Sequence, residues 1–240
     1  MHTQWSDGSA SVQEMAEAAD ARGYEYIAIT DHSKAIAMAF GLDEKRVVDF
    51  AQTVRKINES GNLGIRIFSG LECDIMKEGE MDIAWDALAE LDIVLGCFHS
   101  SLRKKDDQTD RYVAALRNPA IQILGHPRGR IYNFRLGLSA DWAHVFAVAA
   151  ELDKAIEIDS YPDRQDMSID LIRLARKAGC RISIGTDSHG PSQLEFIEFG
   201  LAAALKAKID PDRILNFMSR AKLMEWAVGQ RDRDSGRLAS

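Results

Sequence analysis

The sequence predicts an α/β protein in which consecutive βα units surround a parallel sheet of barrel type. Short runs of β-branched and apolar residues alternate with segments of helical apolar spacing from Tyr24 onward. No stretch of the 240 residues reads as an interdomain linker, and that length suits one α/β barrel. Five of the six expected strands end on a His, a Glu or an Asp–His pair. In a parallel barrel all such ends lie on one rim, where active sites are built.

The elements follow in order. Ser11-Val-Gln-Glu14 forms a capping box for a helix whose stripe is Met15, Ala18 and Ala19, stopping at Gly23. A strand from Tyr24 to Thr30 delivers Asp31-His32. Asp43 opens a helix with Val47, Phe50, Ala51, Val54 and Ile57 on one face. A strand from Ile65 to Ser69 runs into Gly70-Leu-Glu72, and a helix from Ile83 to Leu91 leads to a strand from Ile93 to Phe98 and then His99. Thr109 is expected to cap a helix that breaks at Asn118-Pro119, before a strand from Ile121 to Leu124 and Gly125-His126-Pro127. Ser139 is expected to cap the next helix, which precedes a strand from Ala155 to Ile158 ending at Asp159. Ser168 caps a helix ending near Gly179. The last strand, from Arg181, closes on Gly185-Thr-Asp187-Ser-His189. Residues 192–207 and 211–228 read as closing helices. The expected organisation is one domain over 1–228 and a polar, frayed tail over 229–240.

Composition narrows the function classes. The chain is 46% hydrophobic and 28% charged, as a protein with a full core should be. No apolar run reaches the ~18 residues of a membrane span, and no signal peptide opens the chain. Three unpatterned cysteines, Cys73, Cys97 and Cys180, argue against a disulfide framework and for reduced core residues in a cytoplasmic protein. A net charge of −7 excludes a broad nucleic-acid-binding face but leaves room for a local phosphate site.

The strand-end residues carry the chemistry. Asp187 and His189 are two apart on an extended backbone, so both side chains reach one site. Carboxylate with imidazole suits zinc, manganese or iron better than calcium; the alternative for this stretch alone is a capped turn. Repetition of the pattern at successive strand ends favours a site. His144, within a helix, is expected at the surface with no metal role. Asp159, Asp163 and Asp166 are expected to shape a polar loop.

The segments His2-Thr-Gln-Trp-Ser-Asp7-Gly, Ile29-Thr-Asp-His32-Ser, Gly70-Leu-Glu72, Phe98-His99-Ser, Gly125-His126-Pro-Arg-Gly-Arg130 and Thr186-Asp187-Ser-His189 span nearly the whole chain. Together they resemble the PHP (polymerase and histidinol phosphatase) superfamily. They are most similar to the PHP domain at the C-terminus of bacterial family X DNA polymerases. The resemblance implies a distorted seven-stranded β/α barrel with two to three divalent metal ions, Mn²⁺ or Zn²⁺ with Fe²⁺ as a further option, at the rim. By residue-to-residue transfer, His2, Glu72 and Asp187 hold the first metal. Glu72 bridges to a second held by His99 and His126, and Asp7, His32 and His189 hold the third. Glu72, Asp187 and Arg128 are the implied catalytic residues. Arg128, Arg130, Arg103 with Lys104, and Trp5 are candidates for substrate, although an aromatic beside a strand end, as Trp5 is, more often packs.

The implied activity is phosphoester hydrolysis by a metal-bridged hydroxide at DNA 3′ ends, as in exonuclease and DNA-repair functions. The alternatives are a small-molecule phosphatase of the histidinol phosphatase type and a non-catalytic scaffold module. A barrel amidohydrolase ranks low, since no strand end carries a bridging lysine. Three departures accompany the resemblance. The family's first motif is His-x-His, with Met1 at its middle position here, so the partner His and first strand are expected upstream, beside a polymerase region. Asp159 stands where the polymerase relatives carry Asn. Leu205-Lys206 replaces their late basic pair.

Overall fold

The structure is a computed structural model describing residues 1–238, with side chains described through Arg231. Six strands form one curled sheet: β1 (Tyr26–His32), β2 (Arg66–Asp74), β3 (Ile93–Cys97), β4 (Ile123–Leu124), β5 (Ala155–Asp159) and β6 (Arg181–Gly185). They pair in sequence order, every pair parallel. This is the half-closed barrel expected of successive βα units, with six strands where the family resemblance implied seven. The register sets His32 directly opposite Glu72 on the neighbouring strand. All strand C-termini therefore meet at one rim.

The first residues lace the rim together. The Thr30 amide donates to the Met1 carbonyl at 2.9 Å, and the His2 amide donates to the Ser188 carbonyl at 2.7 Å. His2 is thereby fixed between β1 and the segment after β6. Below the rim lies a cavity of about 610 Å³, lined by Tyr26, Ala28, Leu95, Ile123 and Ile184.

Helices α1 (Val12–Asp20), α2 (Glu44–Glu59), α3 (Trp85–Leu88), α4 (Thr109–Arg117), α5 (Trp142–Glu151), α6 (Ile169–Ala178) and α7 (Ile197–Ala207) cover the sheet, and α8 (Arg220–Leu238) closes the chain. The capping box at Ser11 and Glu14 is present in both directions. Ser168 accepts from the Leu171 amide, and Gly179 ends α6 at φ 84°. Two expected caps move. Asp141 rather than Ser139 caps α5, accepting from the Ala143 and His144 amides, because it directly precedes Trp142 and those amides fall two and three residues after it. Thr109 lies inside α4, where Asp107 accepts its amide. The expected helix from Ile83 to Leu91 is one turn, α3, whose N-terminus has no side-chain cap. Pinning also reaches past residue 228. Trp226 Nε1 and Gln230 Nε2, one turn apart, both donate to the Asp153 carbonyl. Gln230 is buried rather than frayed, and α8 continues to Leu238. Residues 239 and 240 of the expected tail lie outside the described residues.

At the rim end of β6, Gly185 meets a close approach from the neighbouring strand. A Cβ at Gly185 would fall on Glu157 Oε1. Gly185→Ala should therefore destabilise the fold by about 1–3 kcal/mol through overpacking. Gly179→Ala, with open space around it but positive φ, should cost about 1 kcal/mol. Thermal unfolding of both variants checks the order, and an equal or reversed effect would contradict the packing described.

Candidate metal centre

Glu72 lies inside β2, because the strand runs through Gly70 to Asp74 instead of stopping at Ser69. Its carboxylate is 4% exposed and sits among four imidazoles. Oε1 is 2.8 Å from His99 Nε2, 2.8 Å from His126 Nε2 and 3.7 Å from His32 Nδ1. Oε2 is 3.4 Å from His2 Nε2. His2 Nε2 also meets Asp187 Oδ1 at 2.9 Å. The His2 ring is sandwiched between His32 and His189, with centroids 4.2 and 4.4 Å away. Asp7 reaches His32 at 3.8 Å and His189 at 3.5 Å. All eight ligand-type residues read from the sequence thus converge on one rim.

Backbone geometry aims two of them. His126 and Asp187 follow β4 and β6 at φ 21° and 48°, values that non-glycine residues rarely adopt and that cost of order 1–3 kcal/mol each. Flanking acids steady the imidazoles. Asp74 Oδ1 accepts the His99 amide at 3.0 Å and lies 3.2 Å from its Nδ1, orienting the ring toward Glu72. Glu157 Oε2 accepts the His126 amide at 2.6 Å.

The charges are tightly interdependent. Burial opposes ionisation of Glu72, yet the neighbouring His126 and His32 hold its pKa well below the usual value. Burial likewise opposes charge on His2 and His99, but bonds to Asp187 and Glu72, and to Asp74 and Glu72, raise each pKa to about 9. In His32 burial wins over the pull of Glu72 and lowers its pKa to about 4. Asp187 is lowered against burial by its bond to His2 and by the Arg164 guanidinium.

Divalent cations fit this donor set. Among the described residues, four groups bring ligand atoms within 4.8 Å of one another: His2, Asp7, His32 and His189; His32, Glu72 and His99; Glu72, Cys97 and His126; and His2, Glu72 and Asp187. The buried Nδ1 atoms of His2, His32 and His126 have no hydrogen-bond partner. Buried polar atoms are seldom left so unless something other than protein completes the site.

The predicted substrate residues divide differently. The Arg128 guanidinium donates to the carbonyls of Leu136 and Leu138, and Arg130 donates to those of Arg164 and Gln165, so both brace loops. Arg103 is exposed and stacks on Phe134 at 4.9 Å; Lys104 is exposed beside it. Trp5 packs edge-on against Phe50 at 5.6 Å. His144 is exposed, as expected, and the three cysteines are free and buried.

Arg164 was not among the sequence candidates, yet its Nε lies 3.0 Å from Asp187 Oδ2. It sits mid-loop with no periodic signal; its place five residues after the strand-end Asp159 was the available hint. Asp159 and Asp166 bound the loop they were expected to shape and are buried there, an antiparallel bridge between them folding the turn inward. Burial raises the pKa of both.

The model of the PHP domain family matches residues 1–186. The chain is 35% identical over 220 residues to the DNA polymerase/3′-5′ exonuclease PolX of Bacillus subtilis, covering 91% of this chain and 38% of that protein. It is 30% identical over 215 residues to a probable phosphatase of Caldicellulosiruptor bescii, covering 86% of this chain and 84% of the relative. The crystal structure of histidinol phosphate phosphatase from Lactococcus lactis, complexed with zinc, L-histidinol and phosphate, superposes with a TM-score of 0.60. It shares 18% identity, with 88% of this chain and 92% of that one covered, which establishes likeness of fold. No helix among the described residues is long and apolar enough to cross a membrane.

The raised histidines give a pH test. A histidine whose folded pKa exceeds its unfolded value stabilises the fold fully below about pH 6.5, and that stability disappears as pH rises through about 9. With chelator present, the urea midpoint should fall between about pH 7 and about pH 9.5, and saturating Mn²⁺ should flatten the fall by replacing the protons. A chelated protein indifferent to this range would contradict the electrostatics described.

Proposed function

The chain belongs to the PHP domain family, and on that footing we propose that it is a divalent-metal-dependent phosphoesterase acting on DNA 3′ ends. One observation carries the hydrolytic reading: a buried, ionised Glu72 shared by His2, His32, His99 and His126, with Asp187 completing the side nearest His2. His2, Glu72 and Asp187 would hold one cation, Glu72 with His99 and His126 a second, and Asp7, His32 and His189 a third. Bound Mn²⁺ or Zn²⁺ would polarise phosphoryl oxygens and acidify a water for in-line attack.

The protein's own groups organise that chemistry. Glu72 fixes the relative position of both halves of the cluster. Asp74 sets the tautomer and tilt of His99, and Glu157 anchors the backbone of His126 at its unusual φ. Arg164 keeps Asp187 ionised and places a positive charge beside the cluster, where phosphoryl oxygens gather negative charge. The intact set of eight ligand-type residues weighs against a non-catalytic scaffold.

The motif wording shared with the polymerase branch, and 35% identity to a polymerase/exonuclease, support the DNA 3′ end as substrate. A small phosphomonoester is the second reading. It is favoured by the 30% identity over 215 residues to a probable phosphatase.

Mn²⁺ should support release of nucleotides from a 3′-labelled single strand, and chelator should abolish it. Glu72→Gln should lower the rate on the order of a thousandfold or more, since both metal positions lose their shared ligand. Steady-state assays on the oligonucleotide and on histidinol phosphate decide the substrate. Faster turnover of histidinol phosphate would overturn the DNA assignment and leave the hydrolytic chemistry standing. Inactivity on both, with metal bound, would favour the scaffold.

A further inference from the structure

Beside the cluster, the loops after β3 and β4 depart from the acidic character of the chain. Residues 125–140 include Arg128, Arg130 and Arg135 and no acidic residue, and the loop after β3 carries Arg103-Lys104-Lys105 ahead of Asp106-Asp107, in a chain of net charge −7. These loops also display large apolar side chains to solvent. Tyr132 is 67% exposed, Phe134 64% and Leu136 87%. Such exposure costs solvation free energy unless the surface meets something.

The two features are built into one another. Arg103 Cζ lies over the Phe134 ring, 4.9 Å from its centroid, joining the two loops. An antiparallel bridge between Ile131 and Arg135 stiffens the tip, and Arg135 Nε donates to the Gly129 carbonyl. The tip is fastened to the loop after β5. The Tyr132 amide donates to the Asp163 carbonyl at 2.6 Å, and Arg130 Nη2 donates to the Arg164 carbonyl at 2.7 Å. Arg164 in turn bonds Asp187 in the cluster. Burial first, and then the charges of Arg164 and Arg103, lower the Arg135 pKa, so the three guanidiniums are close enough to feel one another. A line of cations leading from a phosphoester site to exposed aromatic faces suits alternating phosphates and bases.

We propose that the tip of the loop after β4 binds the unpaired nucleotides leading to the scissile ester of a DNA strand, with Phe134 and Tyr132 stacking on bases and Arg103 and Arg135 facing phosphates. This rests on the phosphoesterase reading for its purpose but not for its detection, because binding is read without turnover. The local patch also reconciles an acidic protein with a nucleic-acid substrate. A small phosphomonoester has neither successive phosphates nor bases to occupy it.

Fluorescence anisotropy of a labelled oligo-dT single strand on the intact chain tests the proposal. Phe134→Ala should weaken binding about tenfold, and Phe134→Tyr should restore it, since stacking needs a ring and not a particular one. Arg103→Gln should reduce the slope of log affinity against log salt by about 0.7, the contribution of one single-strand phosphate contact. The preference in kcat/KM for the oligonucleotide over p-nitrophenyl phosphate should fall about tenfold in Phe134→Ala. Phe134 is exposed, so an unchanged melting temperature verifies that the variant folds. Unaltered binding in Phe134→Ala and Arg103→Gln, or no binding by the parent chain, would overturn the proposal. Absence of Mn²⁺-dependent hydrolysis of any phosphoester would instead sink the phosphoesterase reading.

Discussion

The carboxylate of Glu72 is the constraint to which the rest of the rim answers. A carboxylate moved from water to a site 4% exposed ordinarily protonates, because the interior cannot replace its hydration. Here four imidazoles surround it within 3.7 Å, and two of them carry raised pKa values. Each partner comes from a different part of the chain: the N-terminal segment, the end of β1, and the loops after β3 and β4. The anion keeps its charge only while all those segments stay registered. The parallel sheet supplies that registration, since pairing His32 with Glu72 across β1 and β2 fixes the first contact and the remaining strands follow in order.

Function is written over this scaffold at a cost in stability. His126 and Asp187 hold strained backbone angles, several ring nitrogens lack hydrogen-bond partners, and Glu157, Asp159 and Asp166 are buried acids with raised pKa values. A chain selected for stability alone would replace such groups with apolar ones. The apolar layers outside the rim bear the strain. Phe50, Phe68, Tyr112 and Phe146 are fully buried, and α8 braces the closed end through Trp226.

The periodic part of this architecture was legible in the sequence. Strand ends recur at βα spacing, so His32, Glu72, His99, His126, Asp187 and His189 could be placed on one rim before any contact was known. Ser11 and Ser168 declared their helices because a cap acts within three residues. What could not be read depends on contacts made across the fold. Arg164 matters because β5 brings its loop against Asp187. Asp74 matters because β2 runs beyond the Gly70 where turn chemistry suggests a stop. Arg128 and Arg130 follow a ligand in sequence, yet carbonyls of their own and the adjacent loop take up their guanidiniums. Gln230 looked like tail until the Asp153 carbonyl, distant in sequence, came within its reach.

The central claim is that one buried carboxylate organises a polynuclear metal site. Anomalous difference density from crystals soaked in Mn²⁺ tests this most directly. The account predicts separate peaks on either side of Glu72, one beside His2 and Asp187 and one beside His99 and His126, each within coordination distance of a Glu72 oxygen. Peaks confined to positions that Glu72 does not touch would contradict it.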